Sequence, residues 1–134
     1  MPVLRHETRP VRSSEDVVLV RRVVREWAIA AGFGLVDQTK MVTAASELAR
    51  NTVLYGGGGS LRLEALADGA RRGLRLVFED AGPGIPDLEL ALRDGYTTGT
   101  GLGLGLGGAR RLVGEFEIET KLGEGTRITV ARWK

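Results

Sequence analysis

Glu47-Leu48-Ala49-Arg50-Asn51 sets an acid and an amide four residues apart near the end of a segment with helical periodicity. Four residues is just over one helical turn, so both side chains project from one face of a helix. That helix reads from Asp37, the expected N-cap, to about Tyr55, and clusters Met41, Ala44, Ala45, Leu48 and Thr52 on one side. At about 100 degrees per residue, Glu47 and Asn51 fall just off the edge of the apolar stripe. Two readings are open at this point: a solvated helix margin, or a half-buried pair turned toward a cleft.

Val3 to Val11 has mixed alternation and a proline at position 10, which predicts an edge strand. Ser13 and Ser14 then cap a helix whose first turn carries Glu15 and Asp16, suited to its positive end. Val20, Val24, Trp27 and Ala31 recur on one face, so Trp27 reads as core. Gly32 and Gly34 end that helix.

The run Gly56-Gly57-Gly58-Gly59-Ser60 resembles a linker, but two helices and one strand before it are too little for an independent core. These glycines are therefore expected to stop a helix and turn the chain into a strand. Leu61, Leu63 and Ala65 alternate with Arg62 and Glu64; after a turn over Asp68 to Gly73, Leu74, Leu76 and Phe78 alternate with Arg75 and Glu79. This predicts a hairpin with one wet face. Asp80 shares the parity of Leu74, Leu76 and Phe78 and so points inward at the strand's end. An inward acid costs several kcal/mol unless it is paired. It is either a ligand-facing group or a turn carboxylate bonding the amides of Gly82 or Gly84.

Asp80-Ala81-Gly82-Pro83-Gly84-Ile85-Pro86 is a rigid stretch that a flat ligand can approach closely, and a short helix from Asp87 to Arg93 is expected after it. Gly95 to Gly101 reads as a lid, with glycine hinges and no apolar anchors. Gly101-Leu102-Gly103-Leu104-Gly105-Leu106-Gly107-Gly108 leads into a helix, either to offer amide groups to phosphates beside a positive dipole end or to allow close helix packing. Gly103 to Gly108 fits G-x-G-x-x-G, yet no strand precedes it, so the dinucleotide reading fails; no Gly-Lys pair or D-F-G occurs, excluding P-loop and eukaryotic-type kinase folds. Phe116, Ile118 and Thr120 alternate with Glu115, Glu117 and Glu119. In the last strand, expected from Thr126, that threonine has the inward parity of Ile128 and Val130.

Composition bounds the whole. At 134 residues and 43% hydrophobic content the chain suits one domain, residues 1–134, burying about two-thirds of its unfolded surface. A net charge of +2 with interspersed signs argues against nucleic acid. The absence of cysteine excludes disulfides and thiolate metal sites, and the single His6 leaves no histidine cluster for zinc. The charged N-terminal residues are not a signal peptide, and the longest uncharged run, Gly95 to Ala109, is shorter than the roughly 20 residues of a membrane span. The expected compartment is cytoplasmic.

Glu47-x-x-x-Asn51, Asp80-x-Gly82-x-Gly84, Gly101-x-Gly103-x-Gly105 and Gly123-x-Gly125-Thr126, in that order, resemble the four ATP-binding boxes of the gyrase, Hsp90, histidine kinase and MutL superfamily (GHKL, the Bergerat fold). Glu47 to Asn51, Leu54-Tyr55, Glu79 to Pro86 and Asp94 to Thr98 are most similar to the stand-alone serine/threonine switch kinases of bacterial stressosomes, the RsbT type, relatives of the anti-sigma factor kinases. The resemblance implies an α+β two-layer sandwich, with a mixed, mostly antiparallel sheet and helices on one face. It implies Mg2+ at Asn51, Asp80 accepting from the adenine amino group of ATP with Thr126 in support directly or through water, and Gly82 and Gly84 letting the base lie close. Gly101, Gly103 and Gly105 would hold the phosphates beneath Thr97, Thr98 and Thr100, with Arg110 nearby, and Glu47 would be the catalytic base. A STAS-domain antagonist would be the substrate, and a serine phosphatase or, in the anti-sigma relatives, a sigma factor the alternative partner. The competing reading is an anti-sigma factor module that sequesters a sigma factor.

Overall fold

Strand alternation in the sequence produces a single sheet, and the segments of helical spacing lie across one of its faces. The computed structural model describes residues 2–92 and 105–134. The elements there are β1 (Val3–Val11), α1 (Ser14–Ala30), α2 (Leu35–Leu54), β2 (Gly59–Asp68), β3 (Arg71–Asp80), α3 (Leu88–Ala91), α4 (Gly105–Leu112), β4 (Glu115–Lys121) and β5 (Gly125–Trp133). The sheet order is β1-β2-β3-β5-β4, and every ladder between these strands is antiparallel. This is the expected two-layer α+β sandwich, with a sheet that is antiparallel throughout the described residues rather than mixed.

Ser13 caps α1, its hydroxyl accepting from the Asp16 N–H at 3.3 Å, while the Asp16 carboxylate accepts from the Arg12 N–H at 2.9 Å. Val20, Val24 and Trp27 are buried as the spacing predicts, and Ala31 packs at the margin of the core. β1 is the edge strand. Its Arg5, Glu7 and Arg9 pair opposite Ala65, Leu63 and Leu61 and so face the helices. Arg5 covers the core there by stacking over the Trp27 ring, 3.8 Å from its centroid.

The N-cap of α2 is Gly34, not Asp37. The helical bond from Gln38 N–H to Gly34 O, 2.9 Å, sets the start, and Asp37 lies in the first turn, where its carboxylate takes Arg132 Nη2 at 2.9 Å. Met41, Ala44, Ala45 and Leu48 are fully buried in one core with Leu61, Leu63, Leu74, Leu76 and Phe78.

The β2–β3 turn is tighter than the expected Asp68 to Gly73: pairing continues to Asp68 opposite Arg71, leaving Gly69-Ala70 as a two-residue loop. The outer face of this hairpin is also less wet than alternation predicts, because Glu64 is buried beneath Arg62 and Arg75. The helix expected from Asp87 to Arg93 is Leu88–Ala91, capped by the Asp87 carboxylate accepting from Leu90 N–H at 3.0 Å; Arg93 lies outside the described residues. β5 begins one residue before Thr126 and inserts between β3 and β4. That insertion sets Asp80 opposite Thr126, with Gly59 opposite Asp80 on the other side.

Candidate functional site

A cavity of about 380 Å³ opens where the end of α2, the β3–α3 loop, the head of α4 and the start of β5 converge. Asn51, Asp80, Gly84, Ile85, Gly105 and Thr126 are among the residues that line it. Most of its wall is apolar, with Phe78, Leu106 and Ile128 beneath a few polar groups, the usual composition of a small-molecule site.

The acid-amide pair stands on α2. Asn51 is half-buried on the cavity wall, and Glu47, one turn back on α2, is buried with 9% of its surface exposed. The Glu47 carboxylate accepts from the Gly105 N–H at 3.3 Å and lies 3.6 Å from the Arg50 guanidinium. Gly105 is the first residue of α4, so the carboxylate meets the positive end of that helix. At the other end of α4, Arg132 donates to the Leu112 carbonyl at 3.3 Å and pairs with Asp37. Both ends of α4 thus carry a side chain of complementary charge. The buried Gly105, Gly107 and Ala109 fit α4 against its neighbours. The described part of the glycine run therefore packs a helix closely and also gives an amide to the Glu47 carboxylate.

Asp80 lines the same cavity. Its Oδ1 accepts from the Gly82 N–H at 3.0 Å, so the turn-carboxylate reading holds for one oxygen, while the residue as a whole still lines the cavity. The surrounding backbone is tight. A Cβ on Gly56 would lie 2.4 Å from Asp80 Cγ, and one on Gly82 would lie 2.7 Å from Gly56 Cα. The loop after Asp80 is tied to the β4–β5 hairpin. Ile85 N–H donates to Thr120 Oγ1 at 2.9 Å, Gly123 N–H donates to the Pro83 carbonyl at 2.9 Å, and the hydroxyls of Thr120 and Thr126 lie 3.0 Å apart.

One cavity thus collects Asn51, Asp80, Gly84, Gly105 and Thr126, with Glu47 one contact behind Gly105 and Gly82 one contact behind Asp80. Arg110 is exposed in the last turn of α4 and is not among the lining residues. Thr97, Thr98, Thr100, Gly101 and Gly103 lie outside the described residues. Sequence reasoning missed Gly56, read only as a helix stop, and Thr120, read only as an inward strand position. Gly56 was findable from its place at the head of four glycines. Nothing local marks the tie of Thr120 to the β3–α3 loop, because Ile85 is 35 residues away.

The family described as histidine kinase-, DNA gyrase B-, and HSP90-like ATPase matches residues 36–134, the span from α2 to the end of the chain. The chain belongs to this family. The serine/threonine-protein kinase RsbT of Bacillus subtilis (strain 168) is 47% identical over 118 residues, which are 88% of this chain and 89% of that relative. Among solved structures, the RsbU and RsbW domains of a Mycobacterium tuberculosis protein superpose with a TM-score of 0.62 at 24% identity. That match covers 98% of this chain and 32% of the longer one. The mycobacterial sensor histidine kinase MprB gives a TM-score of 0.56 at 20% identity, covering 96% of this chain and 97% of its own. At these identities the structural likeness is one of fold. Within the family's fold, the cavity lies between the helical layer and the β3–α3 loop.

Proposed function

We propose that the chain is an ATP-dependent serine/threonine protein kinase of a partner-switching pathway. Its substrate is a STAS-domain antagonist protein and its alternative partner a serine phosphatase. The 47% identity to a serine/threonine-protein kinase over most of both chains supports the reaction class. The observation that carries the reading is the Glu47 carboxylate held at the head of α4, one turn from Asn51 on the cavity wall.

The residues present fit ATP. Asp80 places a carboxylate in a mostly apolar slot, and the loop with Gly84 and Ile85, tied to the β4–β5 hairpin, forms one of its walls. Among the described residues no group of three or more His, Cys, Asp and Glu could hold a metal. The fit is therefore to Mg2+ carried largely by phosphates and water, with one amide oxygen from Asn51. Bound there, Mg2+ would neutralise charge on the phosphates. The chain's own residues supply the rest. Gly105 N–H holds the Glu47 carboxylate at the α4 head, Asp80 anchors the base, and Glu47 orients the attacking hydroxyl and takes its proton.

Glu47→Gln is the variant that separates these roles, since an amide oxygen still accepts from Gly105 N–H but is no base. Phosphoryl transfer measured at saturating Mg-ATP falls by roughly 10²- to 10⁴-fold, while ATP affinity in an equilibrium titration stays close to that of the unaltered chain. Undiminished transfer by this variant removes Glu47 from the chemistry.

A further inference from the structure

Thr120 lies outside the cavity lining, on β4, but its hydroxyl contacts three groups that shape the pocket. It accepts from the Ile85 N–H at 2.9 Å, approaches the Gly125 carbonyl at 3.3 Å and lies 3.0 Å from Thr126 Oγ1. A threonine hydroxyl has one proton and two lone pairs. Ile85 N–H can only donate and Gly125 C=O can only accept, whereas Thr126 can do either. All three contacts are hydrogen bonds in one assignment only: Thr120 gives its proton to Gly125, and its second lone pair receives the proton of Thr126. The Thr126 proton is then directed away from the cavity, and Thr126 presents only lone pairs to it. Thr126 stands opposite Asp80, itself an acceptor, so this end of the pocket is acceptor-only. It follows that Thr126 does not donate to Asp80, and any support it gives passes through a water that donates to both.

We infer that Thr120 is a specificity-determining positioning residue. By fixing the polarity of the Thr126 hydroxyl, it makes the pocket select a purine with a donor at position 6, an amino group, over one with a 6-oxo acceptor. The inference rests on the adenine reading of the cavity. Without Thr120, the Thr126 hydroxyl turns freely and donates to a 6-oxo group as readily as it accepts from an amino group.

The test is Thr120→Val, which keeps the shape and removes the hydroxyl, alongside Thr120→Ser, which restores it. Affinities for ATP and inosine triphosphate, whose base carries a 6-oxo group and a protonated N1 in place of the 6-amino group, are measured by equilibrium titration with Mg2+. Thermal melts report the fold. The unaltered chain and T120S prefer ATP, and in T120V that preference shrinks about tenfold, the range of one or two lost hydrogen bonds. A purely architectural role for Thr120 lowers both affinities equally and leaves the ratio unchanged, which overturns the inference. Should T120V not fold, T120C, similar in size with a thiol that hydrogen-bonds weakly, takes its place with the same two outcomes. An unaltered chain that binds neither nucleotide defeats the adenine reading instead, and is recognised before any variant is made.

Discussion

Glu64 stands on the outer face of β2 opposite Arg75 of β3, hydrogen-bonded by Arg75 Nε at 2.5 Å and Arg62 Nε at 3.0 Å. Burial alone pushes its carboxyl up, but the hydrogen bonds and charges of the two arginines outweigh burial and hold it below the ordinary range. A carboxyl lowered in the folded state stabilises the fold at pH values above its unfolded pKa, and loses that contribution as pH falls through the folded value. Glu64→Gln is therefore less stable than the unaltered chain near neutral pH, and the two converge in acid, as urea unfolding at successive pH values will show. A constant difference across that range contradicts the assignment. Strand parity placed Glu64 on the outer face correctly but could not tell that two long arginine side chains would cover it. The same parity made Asp80 and Thr126 legible as inward polar residues, because alternation along a strand is a local property. Asp37 was misplaced as a cap because the true cap, Gly34, uses no side chain and leaves no mark in the sequence.

The β3–α3 loop owes its shape to contacts with the β4–β5 hairpin. Gly84 has φ +81°, and a Cβ there would lie 2.5 Å from the Lys121 carbonyl oxygen, a backbone atom that cannot swing aside. Gly57, with φ +74°, has open space around it. Gly84→Ala and Gly57→Ala therefore share the conformational cost, on the order of 1 kcal/mol, and only the first adds a clash. Gly84→Ala should melt several degrees below Gly57→Ala and bind ATP more weakly; equal melting points and affinities would show that the loop does not depend on this approach. At this scale the sequence was readable wherever an element is specified by its own residues. β1, α1 and the hairpin strands followed from periodicity and capping. The ties through Thr120 and Arg132 were not readable, since each joins segments whose proximity depends on β5 entering the sheet between β3 and β4.

That insertion is what turns two separate sequence boxes into one site. Asp80 ends β3 and Thr126 lies at the start of β5, so antiparallel pairing makes them neighbours, while α2 and α4 bring Asn51 and Gly105 to the same cavity. The layered fold belongs to a family whose members include both histidine kinases and ATPases, so fold alone does not choose the reaction. What favours a serine/threonine kinase is the Glu47–Asn51 pair together with the likeness to a serine/threonine-protein kinase. The most direct measurement is incubation of the chain with γ-labelled ATP, Mg2+ and a purified STAS-domain antagonist, followed by separation of protein-bound from free label. A serine/threonine kinase leaves acid-stable label on a serine or threonine of the STAS protein. Label appearing only as free phosphate, or remaining in bound ATP with no transfer, would contradict it.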